Sequence, residues 1–326
     1  MKGKLYGTLG PSCAEESILR KMLRAGMSGM RLNLSHVTLA EAADTVAALR
    51  GAAQKEGVTV DLLIDLQGPE LRVGAIEGGF DLREGACVTL GEDFAVPDIL
   101  RGNLRRGDEL LLDDGAFLLR VEDETALVCR VVRGGTLRSH KSLAVVGREL
   151  PAPVLTRQDM ENLRVAKEYG VTALMQPFVR GREDILAVRE ALGECGAEGL
   201  KIFAKIENVT GLQKVEEIAE VSDVVICARG DLGNAMPLWE LPRAQGKIVR
   251  VCREKGTPFM ISTQMLHSMH ASAVPTRAEV TDVYTAAKSG ADYLLLTGET
   301  AAGKYPVEAM EYFSKIAANG WEDAEN

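Results

Sequence analysis

The sequence predicts an α/β chain: a (β/α)8 TIM barrel with a small all-β module inserted after the third strand. Three observations carry that expectation. Short apolar runs, suited to strands buried on both faces, recur eight times with amphipathic helical stretches between most of them. The rhythm breaks once, over residues 73–149, where short β-like runs are separated by Gly-Gly and Asp-Asp-Gly turns. The remainder is roughly the 250 residues that such a barrel needs. A doubly wound sheet would want a glycine-rich fingerprint after the first strand, and G-T-L-G-P-S at Gly7–Ser12 is not one. The expected division is therefore 1–72 with 150–326 for the barrel, and 73–149 for the insert.

The elements follow in order. Leu5–Leu9 reads as a strand ending in Gly10-Pro11-Ser12, and Ala14–Ala25 as a helix with Ile18, Leu19, Met22 and Leu23 on one face. Met30–Leu34 is the second strand, whose alternation puts Arg31, Asn33 and Ser35 on one side. A helix over 39–55 and a third strand, Val60–Leu66, lead into Q-G-P-E-L-R. Within the insert the β-like runs are Cys87–Leu90, Glu109–Leu112, Phe117–Val121 and Ala126–Val132. The α/β rhythm resumes with a helix over Thr156–Tyr169, Thr156 serving as N-cap. Five further strands are expected at Ala173–Phe178, Ile202–Ile206, Asp223–Ala228, Pro258–Thr263 and Tyr293–Leu296. Val209–Ala219, Val280–Lys288 and a closing Pro306–Ala317 are the clearest late helices.

Composition narrows the function. A net charge of −9 and a pI near 5.2 argue against a nucleic-acid surface. The six cysteines are scattered without a C-x-x-C pair, which disfavours a zinc site or disulfide framework and fits a reducing cytoplasm. The start has no signal-peptide core, and no apolar run is long enough to span a bilayer.

In a barrel of this kind the active site lies at the C-terminal ends of the strands. Those ends carry Pro11; Arg31, Asn33 and Ser35; Asp65; Lys205 and Glu207; Arg229 and Asp231; Thr263; and Thr297 with Glu299. A structural ion pair at the rim explains any one of these charges. Together they suit an anionic substrate and a cation. Glu207 and Asp231 are hard oxygen ligands for Mg2+ or Mn2+. Lys205 beside them is the point charge that phosphoryl transfer needs, and Arg31 can clamp a phosphate oxygen. Asn33, Ser35 and Asp65 suit either a monovalent cation or a hydrogen-bonded aspartate. Gly230 permits close backbone approach, and a short helix starting at Asp231 would offer amides to a carboxylate. Two motifs are set aside. Gly298–Lys304 fits G-x-x-x-x-G-K but continues Tyr-Pro where a P-loop has Ser or Thr. His267 and His270 have no third ligand nearby in sequence and read as helix-end residues.

At this point the motifs resemble a known family. G-T-L-G-P-S, G-M-S-G-M-R-L-N-L-S-H, D-L-Q-G-P-E-L-R, L-L-D-D-G, K-I-F-A-K-I-E-N, A-R-G-D-L-G, S-T-Q-M-L-H-S-M, P-T-R-A-E-V-T-D-V and L-L-T-G-E-T-A-A-G-K-Y-P look like pyruvate kinase over nearly the whole length. The resemblance implies a glycolytic transferase, an ATP-binding kinase that moves the phosphoryl group of phosphoenolpyruvate to ADP. It implies Mg2+ or Mn2+ on Glu207 and Asp231, and K+ on Asn33, Ser35, Asp65 and the Leu66 carbonyl. Lys205 would stabilise the phosphoryl group and the enolate, and Arg31 would hold the transferred phosphate. Gly230 and Asp231 amides with Thr263 would seat the substrate carboxylate, Thr263 also lying in the proton-delivery region. Pro11, His36 and Arg72 would line the nucleotide side, and Glu70 matches the glutamate that accompanies K+ dependence. It also implies a cytoplasmic protein and a homo-oligomer formed through barrel helices.

The chain departs from the family pattern at several places. Leu66-Gln67 stands for Thr-Lys, Ser142–Val145 for N-L-P-G at the insert's exit, Pro177-Phe178 for Ser-Phe, and Thr297 for Ser. No counterpart of the family's C-terminal regulatory domain is expected after the eighth helix. The leading expectation is a short, unregulated kinase. Two alternatives are a catalytically impaired binding protein of the same family, and a metal-dependent lyase acting on a pyruvate enolate.

Overall fold

The computed structural model describes residues 3–35, 37–113, 115–147 and 150–325. Eight parallel strands close into a barrel: Lys4–Thr8, Gly29–Asn33, Asp61–Asp65, Ala173–Gln176, Lys201–Ile206, Val224–Ala228, Phe259–Ser262 and Tyr293–Leu295. Each pairs with the next in sequence, and the ring closes where Lys4 registers with Tyr293.

The two-residue period of each strand divides its side chains between two cores. Tyr6, Leu63, Met175, Phe203, Ile226, Met260 and Leu295 pack together inside the ring. Their sequence neighbours Leu5, Leu62, Leu174, Ile202, Val225, Ile261 and Leu294 join the larger core beneath the helices. The same period decides where the polar residues go. Asp65, Lys205, Ser262 and Thr297 each lie two residues beyond an interior apolar residue, so they form the next layer up, at the C-terminal mouth. At the opposite mouth the Tyr6 hydroxyl donates to Asp61 at 2.6 Å and Lys4 pairs with Asp61 at 2.8 Å.

The insert has its own apolar core, including Val88, Leu110, Leu119, Cys129, Val131 and Leu143. A six-stranded antiparallel sheet runs in the spatial order Leu71–Arg72, Ser142–Val145, Glu109–Leu112, Phe117–Asp123, Val128–Arg133, Cys87–Thr89. A separate pair joins Phe80–Leu82 to Gly135–Leu137. Four further short strands, Leu71–Arg72, Phe80–Leu82, Gly135–Leu137 and Ser142–Val145, lie outside the four β-like runs read from the sequence. Leu71–Arg72, on the barrel side of the expected division, pairs with Ser142–Leu143 of the insert.

Several helix bounds also differ. The expected helix over Thr156–Tyr169 is Arg157–Val165, with Thr156 capping it in a capping box with Asp159. Val209–Ala219 divides at Lys214 into Val209–Gln213 and Val215–Val221. The last helix runs Pro306–Glu325, held at its far end by buried Trp321, whose Nε1 donates to the Ala291 carbonyl at 2.7 Å. Among the described residues no helix is long and apolar enough to cross a membrane.

Candidate active site at the C-terminal mouth of the barrel

A small cavity at this mouth is lined by Arg31, Asp65, Lys205, Glu207, Asp231, Thr263 and Thr297, with Ser262 and four apolar residues from three strands. Most of the charges predicted from strand ends thus meet in one place. Arg31 pairs with Asp65 at 2.6 Å, and Lys205 lies 3.2 Å from Asp65 and 2.8 Å from Glu207. All four side chains are at least 85% buried, so each charge depends on the others.

The electrostatics follow from that dependence. Burial works against the Lys205 ammonium, but Asp65 and Glu207 outweigh it and hold its pKa above the ordinary lysine value. Burial likewise opposes ionised Asp65, and Lys205 and Arg31 overcome it, so this carboxyl sits below its usual value. Glu207 is the exception. Burial, reinforced by nearby Asp231 and Asp65, outweighs Lys205 and pushes it up to about 8. With Glu207 ionised, Asp65, Glu207 and Asp231 face only Arg31 and Lys205, so the ionised cluster is one positive charge short, in line with the raised Glu207 pKa. Such a deficit is what a bound cation would relieve. Among the described residues no three or more His, Cys, Asp or Glu side chains gather as a ligand set. A divalent ion on Glu207 and Asp231 would therefore draw its other ligands from water and substrate oxygens, the pattern that suits Mg2+.

Backbone geometry places several of these groups. Glu207 also accepts the Phe178 amide at 2.9 Å, with Phe178 held at φ 51° just beyond the fourth strand. The helix carrying Asp231 spans Arg229–Asn234, starting two residues earlier than expected, so Gly230 and Asp231 both lie in its first turn. A Cβ on Gly230 would stand 2.9 Å from the Thr263 methyl, so this contact demands glycine. Thr263 itself has φ 75°, rare for a β-branched residue.

The remaining predicted residues lie around this centre. Asn33 registers with Asp65 across the second and third strands, and its Oδ1 accepts the Ser35 amide at 3.2 Å. Leu66 is buried and donates its amide to the Met175 carbonyl at 3.1 Å. Asp65 accepts from Arg31 Nε through Oδ2 at 2.7 Å, and the longer 3.3 Å contact from Lys205 leaves Oδ1 the less committed oxygen. Arg72 is tied to Glu70 at 2.9 Å and donates to the His140 carbonyl at 2.8 Å. Pro11 is exposed in the turn after the first strand. Neither Pro11 nor Arg72 lines the cavity with Lys205. His36 lies outside the described residues. A second, larger cleft separates the mouth from the insert, bordered by Glu70, Leu143, Phe178, Glu207, Asp231 and Asn234.

Two buried carboxylates brace loops, a role that neither the place of Asp159 in its helix nor that of Glu299 after the eighth strand signals in the sequence. Asp159 accepts the amides of Gln67 and Gly68 at 2.8 and 3.0 Å while capping its own helix, and so anchors the loop that follows Asp65 and Leu66. The T-x-x-D spacing was the available signal, but it speaks only of a helix start. Glu299 accepts the Leu266 amide at 3.2 Å and the Thr297 amide at 2.8 Å, linking the loops after the seventh and eighth strands. The Gly298–Lys304 stretch accordingly turns a carboxylate of its own onto the Thr297 amide just before it, unlike a phosphate loop. His267 and His270 lie in one 3-10 turn with ring centroids 5.1 Å apart.

Comparison with known proteins places this arrangement. Residues 1–310 match the family model described as "Pyruvate kinase, barrel domain". A pyruvate kinase of Thermococcus litoralis is 39% identical over 97% of this chain and 69% of its own length. One from Aeropyrum pernix is 39% identical over 98% of this chain and 70% of its own. One from Bacillus licheniformis is 36% identical over 98% of this chain, which spans only 57% of that relative.

Proposed function

This chain belongs to the pyruvate kinase family, and from that premise we propose that it transfers the phosphoryl group of phosphoenolpyruvate to ADP, giving pyruvate and ATP. One observation carries the reading: Arg31, Lys205, Glu207, Asp231 and Thr263 line a single cavity at one mouth of the barrel. The impaired-binder and lyase alternatives are not favoured, since the full set of charges that phosphoryl transfer needs is present together.

In this reading Arg31, oriented by Asp65, holds oxygens of the transferred phosphate. Lys205 is an electrostatic partner and not a base, because Asp65 and Glu207 keep it protonated. It faces the phosphoryl group as the bond to the enol oxygen breaks and the bond to the nucleotide's terminal oxygen forms. The amides of Gly230 and Asp231, with the Thr263 hydroxyl, seat the carboxylate, and the Thr263 side delivers the proton that converts enolate to pyruvate. Glu207 and Asp231 would hold Mg2+ or Mn2+, which would supply electrostatic stabilisation of the developing charge. Asn33, Ser35, Asp65 and the Leu66 carbonyl would hold K+. Pro11, His36 and Arg72 line the nucleotide side, and Arg72 must exchange its Glu70 or His140 contact to reach a phosphate. A cytoplasmic location and a homo-oligomer through the barrel helices belong to the same reading.

The test is a coupled pyruvate assay with phosphoenolpyruvate, ADP and Mg2+, in K+ and in Na+. Turnover should appear, depend on the divalent ion and rise in K+. No pyruvate under any cation sinks the proposal, and turnover indifferent to K+ removes the monovalent site from it.

A further inference from the structure

Arg229 stands beside the proposed substrate residues, yet the mechanism gives it nothing to do. Its side chain is 11% exposed and crosses from the end of the sixth strand to the loop after the seventh. Nε and one terminal nitrogen donate to the Thr263 carbonyl at 3.1 and 2.8 Å. The same terminal nitrogen reaches the Gln264 carbonyl at 3.3 Å and lies 2.9 Å from Met265 Sδ. The other terminal nitrogen pairs at 2.8 Å with Asp282, on the helix Arg277–Lys288.

The two carbonyls it grips belong to consecutive strained residues. Thr263 has φ 75° and Gln264 φ 54°, both left-handed and neither glycine. Such conformations persist only where surrounding contacts over-determine them, and they gather at functional sites. The strain decides where Thr263 points. With this backbone its methyl lies against Gly230 and its side chain borders the cavity. Relaxed to an ordinary extended conformation, the same residue would turn away.

We propose that Arg229, braced by Asp282, is a positioning residue that holds the left-handed Thr263–Gln264 turn and so aims Thr263 at the substrate. The proposal rests on the reading above that Thr263 seats the carboxylate and lies on the proton path. A planar fork is required, because one group must grip two successive carbonyls and a carboxylate together.

The experiment separates aiming from mere support. In Arg229→Leu, kcat/KM for phosphoenolpyruvate should fall about 100-fold, the scale of a misplaced catalytic contact, while KM for ADP stays within about twofold. Arg229→Lys, keeping the charge and one donor, should lie between. Gln264→Gly removes half the strain, since glycine takes a positive φ freely. Added to Arg229→Leu, it should restore about tenfold. Equal losses in both KM values, or a double variant no better than Arg229→Leu, would overturn the proposal. If Arg229→Leu does not fold, Arg229→Lys and Asp282→Asn, each with and without Gln264→Gly, decide it by the same comparison. An inactive unmodified protein would sink the phosphotransferase reading instead. Calorimetric binding of phosphoenolpyruvate to the same variants then tests the turn alone, with the same order of losses and recovery expected.

Discussion

The barrel mouth and the inserted module handle charge in opposite ways. In the insert, pairs such as Arg120–Glu109, Arg83–Asp81 and Arg130–Glu122 stand at the surface, with the basic partner 46 to 81% exposed. Its longer strands alternate buried and solvated positions, so these charges have a wet face to occupy. At the mouth, Lys205, Asp65 and Glu207 are nearly enclosed, with no such face available. A buried charge in a parallel barrel is costly unless paired, and with Glu207 ionised this cluster lacks one positive charge. Surface pairs of the first kind contribute little and are screened by salt. Enclosed charges of the second kind mark where chemistry is done.

That contrast can be broken most sharply at Lys205. Lys205→Met should lower turnover by about a thousandfold, the scale of losing one preorganised charge from a transition state. The coupled assay reads it, and near-normal turnover would make the cluster merely structural. Asp159→Ala should come next. It strips the acceptor from the Gln67 and Gly68 amides and should cost about 3 kcal/mol, seen in urea unfolding together with a loss of K+ response. Stability unchanged in that variant would remove Asp159 from the support of the loop. Arg83→Ala in the insert should leave turnover and Tm unchanged, and a clear loss of either would erase the distinction between the regions.

The smallest measurable change expected is a pH effect on the barrel's outer surface. Hydrogen bonds from Arg24 and Arg20 hold the Glu56 carboxyl down at about 2, below its ordinary 4.5. Its folded-state pKa being the lower, the unfolded chain binds the extra proton, so its contribution is present above 4.5 and fades as pH falls towards 2. The stability gap between the unmodified protein and Glu56→Gln should narrow over that window and close further in high salt. A gap that widens on acidification would contradict the assignment.

Much of the site was legible because its residues sit at a fixed step beyond apolar runs. Phe203 and Lys205, or Leu63 and Asp65, are two apart, and an extended strand must put them on one face. The motifs then identified the family independently of any contact. What escaped was short or indirect. Leu71–Arg72 and Phe80–Leu82 are too brief to show a period, and Phe178 serves Glu207 through a backbone amide, which leaves no mark in residue type. The helix at Arg229 began early because the chain turns as soon as the sixth strand ends, which composition does not reveal.

By itself, then, the sequence determined the eight-unit barrel, its insert and the residue types at one mouth, since local periodicity and strand alternation are properties of neighbours along the chain. Tertiary structure alone decided which charges touch, that Asp65 is shared by Arg31 and Lys205, and that Glu207 is the carboxyl left under-compensated. Those outcomes depend on distance and burial between segments 34 to 140 residues apart, and the energy of a charge is set by what surrounds it in space.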